Sequence, residues 1–131
     1  MLFDTDVLIW ALRGDINAAK VIDEAPHRCV SAVNYMELMQ GARNKNEQRM
    51  IKNFLASLEF EVLPLSEAIS HRAAIFIEEY ALKSGMQLAD ALVFATSCEH
   101  SLCLCSANQK HFKVISALES KVFKPHTGKV S

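Results

Sequence analysis

The chain lacks most of the features that announce a partner at first sight. It has no excess of charge: 14 Lys and Arg stand against 15 Asp and Glu, a formal net charge of −1 over 131 residues. Overall charge therefore declares no nucleic-acid partner, and such a reading needs local clusters. No apolar run approaches the roughly 18–20 residues that cross a bilayer. No basic n-region, apolar h-region or small-residue cleavage site precedes the first apolar stretch. The expected location is the cytoplasm, with no membrane partner. The four cysteines, Cys29, Cys98, Cys103 and Cys105, lack the paired C-x-x-C spacing of zinc sites. They read as buried thiols in a reducing compartment. The histidines show no ligand spacing, and there is no internal repeat, low-complexity segment or linker.

What is present is enough to fold. Half of the residues are hydrophobic, and a chain of this length buries about two-thirds of its unfolded surface, so one globular domain over residues 1–131 is expected. The opening, Leu2-Phe3-Asp4-Thr5-Asp6-Val7-Leu8-Ile9, is a short apolar stretch running into two acids two residues apart. It reads as a buried strand that presents carboxylates at an exposed rim, because isolated carboxylates are costly to bury.

Val7 to Leu12 and Ile16 to Ala25 read as helical, with Pro26 ending that stretch. Arg28-Cys29-Val30 is a predicted second strand. Ser31 is an N-cap for a helix through Met39 or Gln40, with Gly41 as its stop. Met50, Ile51, Phe54, Leu55 and Leu58 make one helical stripe. Phe60 to Leu63 is a third strand. Ser66 opens a long helix that Ser84-Gly85 ends, and Leu88 to Cys98 is a more uniformly apolar helix, buried on most sides. Ser101 to Cys105 and Lys121 to Lys124 supply strands four and five, with a turn or short helix over Asn108 to Phe112. Strands separated by helices predict an α/β domain whose parallel sheet is covered on both faces.

Ligands bind such sheets at the carboxyl ends of the strands, where the chain order reverses. Asp4 and Asp6 end strand one, and Ser106 and Asn108 follow strand four, so the two pairs form one crevice if these strands are neighbours. Glu37, in Tyr35-Met36-Glu37-Leu38-Met39, and Asp90, in Leu88-Ala89-Asp90-Ala91-Leu92, stand among apolar residues. A lone acid there is expensive unless capping, an ion pair or a metal takes up its charge. An oxygen-only ligand set suits a hard cation, Mg²⁺ or Mn²⁺, and such a site supports phosphodiester hydrolysis.

These stretches together resemble a known family. Asp4-Thr5-Asp6-Val7-Leu8-Ile9 resembles the opening Asp-Thr-Asn signature of PIN-domain ribonucleases, in particular the VapC-type toxins of type II toxin–antitoxin pairs. Ser31 followed by Glu37-Leu38 and Gly41 is similar to the second acidic motif. Gly85 followed by Leu88 to Leu92 resembles the third. Leu104, Ser106, Asn108, His111 and Phe112 resemble the fourth, a Thr-x-Asp/Asn segment ending in His-Phe or Asp-Phe. The resemblance implies a three-layer α/β/α domain with a parallel sheet of about five strands. It implies that Asp4, Glu37 and Asp90 bind the metal, that Asn108 takes the place of a fourth acid, and that Thr5 and Ser106 supply supporting hydroxyls. Asp6 stands where the family usually has Asn. The neutral Asn108 would hold a second metal more weakly. An RNA substrate, a cognate antitoxin that blocks the site and a homodimer are likewise implied. The opening is short for the family, which points to an upstream start.

Two clusters could hold RNA phosphates. Arg43, Lys45, Arg49 and Lys52 against Glu47 give 4 − 1 = +3, and Lys110, Lys113, Lys121, Lys124 and Lys129 against Glu119 give 5 − 1 = +4. Arg43, Lys45, Arg49 and Lys110 are the candidates, each also readable as solvated surface charge. Two rivals remain. A haloacid-dehalogenase-type phosphatase also opens with Asp-x-Asp, with Asp4 as nucleophile and Asp6 as general acid. It leaves Glu37 and Asp90 unexplained and needs acids that Ser106 to Gln109 lacks. The other is a degenerate, non-catalytic module acting in protein binding.

Overall fold

The first strand passes into the first helix without a loop. In the computed structural model, which describes residues 1–108, 115 and 117–126, β1 is only Leu2–Phe3 and α1 is Thr5–Leu12. Asp4 joins them as N-cap: its backbone is extended and its carboxylate accepts the Thr5 N–H. The helix thus begins before Val7, and Thr5 and Asp6 form its first turn, where the helix dipole favours acids. Ser31 repeats the device, ending β2 (Cys29–Ser31) and accepting the Val33 N–H to cap α3 (Ala32–Gly41).

The other elements are α2 (Ile16–Glu24), α4 (Lys45–Ser57), β3 (Glu61–Leu63), α5 (Glu67–Ser84), α6 (Leu88–Glu99), β4 (Leu104–Ser106) and β5 (Ser120–Val122). Helix α5 stops as expected, at Gly85 in the left-handed region (φ 73°), whose N–H bonds back to Ala81. Gly41 is different. It is the last residue of α3, and Ala42 takes the cap in an extended conformation, so no left-handed glycine ends that helix. The segment expected to turn over Asn108 to Phe112 lies, apart from Asn108, outside the described residues.

The five strands form one parallel sheet in the order β3-β2-β1-β4-β5. The chain lays strands to one side of β1 and then crosses to the other, so β1 and β4 flank the reversal. Leu2 pairs with Leu104 and Phe3 with Cys105. Alternation along each strand sends neighbours to opposite faces. Leu2, Leu63 and Leu104 face Ile69, Phe76, Ala91 and Phe94 of α5 and α6. Phe3, Val30 and Cys105 face Val7, Leu8, Val21, Ile22, Leu38 and Leu55 of α1 to α4. The result is three layers with a core on each side of the sheet. Helix α6 is buried from Ala91 and from Val93 to Ser97, though Leu88 in its first turn is exposed. Among the described residues no helix is long and apolar enough to cross a membrane.

Candidate metal centre

The pairing of β1 with β4 makes the crevice. The Asp4 N–H donates to the Cys105 carbonyl at 3.0 Å, which fixes the end of one strand against the other. Above that bond the Asp4 carboxylate is held by three donors. Oδ1 accepts the Thr5 N–H at 2.9 Å and the Asn34 side-chain amide at 3.3 Å, and Oδ2 accepts the Ser106 hydroxyl at 2.7 Å. Its lone pairs are thereby aimed before any ligand arrives.

Thr5 extends the network to α3, its hydroxyl donating to Glu37 Oε1 at 2.8 Å. Glu37 is exposed, not buried among the apolar residues that flank it in sequence, because α3 turns that side toward the crevice. Asp6 lies deeper. Its Oδ2 accepts the Ala107 N–H at 3.0 Å and a longer contact from Ser106 at 3.3 Å, while its Oδ1 is buried without a donor. Burial, and then the Asp4 charge, push its carboxyl above the usual carboxylate range, against the pull of the Ala107 and Val7 N–H groups and the Ser106 hydroxyl. Asn108, exposed beyond β4, donates its N–H to the Ser106 oxygen at 3.1 Å.

Asp90 is carried by a different element, α6. It is half-buried in the first turn of α6, and its carboxylate accepts the Gln87 N–H at 3.2 Å. Part of its setting is thus a helix cap. Because α6 leads into β4 and runs back across the sheet, that first turn lies at the carboxyl-end rim. Helix α6 also packs against α3, which carries Glu37.

Asn34 was not legible as a site residue. It is 1% exposed and sits one turn before Glu37, so both amide and acid face the crevice. An Asn at i−3 from a candidate ligand within an apolar helix is the signal that would have found it. The basic candidates divide. Arg43 Nε donates to Glu47 Oε2 at 2.8 Å, and the Arg43 N–H donates to Oε1, so its charge is offset locally. Lys45 and Arg49 are exposed on the first turns of α4, Arg49 donating to Asn46. Lys110, with His111 and Phe112, lies outside the described residues. The four cysteines are free thiols, Cys29 and Cys105 buried.

The chemistry of the donor set fits a hard divalent cation. The candidate ligands Asp4 and Glu37 offer oxygen only, and among the described residues no Lys, Arg or His forms an ion pair with either of them or with Asp6 behind them. Asp4 and Glu37, linked through Thr5 and without a cation, favour an added one, although among the described residues their ligand atoms do not form a close group of three with another acid as they stand.

Comparisons with known proteins agree with this architecture. A search of the curated proteins returned no match. Similar solved structures include a toxin–antitoxin complex from Klebsiella pneumoniae, 29% identical, covering 89% of this chain and 93% of that chain at a TM-score of 0.75. VapBC2 from Rickettsia felis, bound to a DNA fragment from their promoter, is 16% identical, with 94% and 98% covered and a TM-score of 0.79. VapBC-1 from nontypeable Haemophilus influenzae is 19% identical, with 92% and 96% covered and a TM-score of 0.77. At those last two identities the likeness speaks for the fold. The family model of the PIN domain matches residues 1–118, and the chain belongs to the PIN-domain family.

Proposed function

We propose that this chain is a Mg²⁺- or Mn²⁺-dependent endoribonuclease and the VapC-type toxin of a toxin–antitoxin pair, working in the cytoplasm. The observation that carries the reading is the hydrogen-bonded network at the carboxyl ends of β1 and β4, in which Ser106 joins Asp4 and Asp6 and Thr5 draws in Glu37 from α3. Membership in the PIN-domain family supports nuclease chemistry. Asp4, Glu37 and Asp90 are the residues that would hold the ion, with Asn108 as a neutral oxygen donor in the fourth position. When bound, such an ion neutralises charge developing at phosphorus and lowers the pKa of water.

The chain's own groups prepare that chemistry. Asn34, Thr5 and Ser106 orient the Asp4 carboxylate, and the Thr5 hydroxyl restrains the otherwise mobile Glu37 side chain. A neutral Asn108 reduces the charge available to a second ion, so one resident ion is the expected state. Lys45 and Arg49, with Lys110, are the candidates to hold flanking RNA phosphates. A homodimer and a cognate antitoxin belong to the same reading. Its support is the likeness to structures described as toxin–antitoxin complexes, one of them bound to promoter DNA.

The phosphatase alternative has less support. Asp6 would have to act as an accessible general acid, yet its Oδ2 accepts the Ala107 N–H and its Oδ1 is buried. Purified protein should cleave single-stranded RNA in Mg²⁺, stop in EDTA and recover when Mg²⁺ is returned. Intact RNA in Mg²⁺ would sink the nuclease reading. Turnover of a small phosphomonoester, abolished by both Asp4→Asn and Asp6→Asn, would favour the phosphatase. A short open reading frame for a DNA-binding protein beside the gene is the corresponding check on the antitoxin.

A further inference from the structure

The opposite rim of the sheet carries a second group of ligand-type side chains. Strands β2 and β3 start side by side, with Cys29 in register with Glu61. The Glu61 N–H donates to the Arg28 carbonyl at 2.8 Å, so the ladder fixes both strand starts. His27 stands two residues before Cys29. Its Nε2 lies 2.9 Å from Glu61 Oε1, and the ligand atoms of His27, Cys29 and Glu61 are all within 4.8 Å of one another.

This group differs in chemistry from the acidic crevice. It offers one sulfur, one imidazole nitrogen and one carboxylate oxygen, where the crevice offers oxygen alone. A thiolate and a carboxylate with a neutral imidazole balance a dication, and this donor mixture suits Zn²⁺ rather than Mg²⁺. Arg28, between two of the ligands, turns its guanidinium to the carbonyls of Ile22, Leu58 and Asp23. The neighbouring cation is therefore the Met1 ammonium, which donates to the His27 carbonyl at 2.9 Å and favours the Cys29 thiolate. As an ion pair alone, His27 and Glu61 have little value, because their side chains are 60% and 56% exposed. Beneath them Cys29 is 1% exposed. The group therefore has a closed, sulfur-bearing floor and two adjustable arms. Bond lengths of about 2.0–2.3 Å put tetrahedral zinc ligands roughly 3.3–3.8 Å apart, within reach of side-chain rotation at the two exposed residues.

We propose that His27 Nε2, Cys29 Sγ and Glu61 Oε1 form a zinc-class site, with water in the fourth position. Binding exchanges the Cys29 S–H proton for the metal: the zinc–sulfur bond forms, the proton passes to solvent, and no electron is transferred. The ion ties the start of β2 to the start of β3, at the amino ends of the strands, whereas Asp4 lies at a carboxyl end. The site is independent of the nuclease reading.

Cobalt substitution tests this, because a thiolate-to-cobalt charge-transfer band is blind to oxygen-only sites. Titration of the intact, reduced chain with Co²⁺ should raise that band to saturation at one equivalent, and Zn²⁺ should displace it. Asp4→Asn should leave the band in place, and Cys29→Ala should abolish it. His27→Gln and Glu61→Gln, at exposed positions that the fold tolerates, should each weaken Co²⁺ binding by about tenfold or more. No band in the wild type overturns the proposal, as does a band that survives Cys29→Ala. If Cys29→Ala does not fold, unchanged titrations in both His27→Gln and Glu61→Gln overturn it.

Discussion

The Ser106 hydroxyl donates to Asp4 Oδ2 at 2.7 Å, joining residues 102 positions apart in the chain. Ser106 Oγ also accepts the Asn108 N–H at 3.1 Å, while its contact to Asp6 Oδ2 is longer, at 3.3 Å. One hydroxyl proton cannot serve two carboxylates fully, so Asp4 takes it. Ser106→Ala should leave the Asn108 N–H and Asp4 Oδ2 each without this partner. The expected cost is about 1–3 kcal/mol of stability. RNA cleavage should fall about tenfold through a looser Asp4. Urea unfolding and initial rates check both, and full activity in Ser106→Ala would remove the serine from the site.

Asp4 and Asp6 should separate cleanly under the same substitution. Asp4→Asn removes a charge that would face the ion, and a loss of about three orders of magnitude in cleavage is expected, equivalent to about 4 kcal/mol. Asp6→Asn keeps an oxygen for the Ala107 N–H and replaces an acid that burial and Asp4 disfavour. It should leave activity within a few-fold and raise stability by up to about 1 kcal/mol. If Asp6→Asn proves as inactive as Asp4→Asn, Asp6 is itself a working acid of the site.

Asp90 has two roles to disentangle, cap and candidate ligand. Asp90→Asn keeps an acceptor for the Gln87 N–H and should cost under about 0.5 kcal/mol, whereas Asp90→Ala should cost about 1 kcal/mol. Both should abolish Mg²⁺-dependent cleavage. An active Asp90→Asn would reduce the residue to its capping role. Calorimetric titration with Mn²⁺ reads the ligand role directly.

The architecture was legible where local chemistry and tertiary position agree. Ser31, Ser66 and Gly85 punctuate their helices because caps are decided by neighbours in sequence. The β1–β4 crevice was legible only on the condition that these strands are neighbours, which the sheet order meets. What escaped the sequence was decided by side-chain direction. Apolar neighbours made Glu37 look buried, yet α3 presents it to solvent and Thr5 steadies it. Asn34 went unseen because its function is a bond to Asp4, 30 residues earlier. The sequence set Glu47 against the whole basic cluster, but that it pairs with Arg43 in particular is decided by side-chain direction at the start of α4. The His27–Cys29–Glu61 group was invisible for a similar reason, since Glu61 joins it only through the β2–β3 register.

Cys105 gives the fold an alkaline limit. The residue is fully buried beside Phe3, and desolvation pushes its thiol from 9.0 up to about 12. The folded chain therefore keeps a proton that the unfolded chain releases. This contribution to stability is complete below about pH 9 and is lost as pH rises toward about 12. The slope from one such group reaches at most about 1.4 kcal/mol per pH unit. Burial also raises the thiols of Cys29, Cys98 and Cys103, which add to the slope in the same direction. Cys105→Ala should be less stable at pH 7 by about 1 kcal/mol, the cost of a small cavity. Above pH 9 it should lose stability less steeply than the wild type, because the most strongly shifted thiol is gone. Urea midpoints at pH 7, 9 and 10.5 for both proteins decide it. Parallel curves would mean that Cys105 ionises as freely in the folded chain as in the unfolded one.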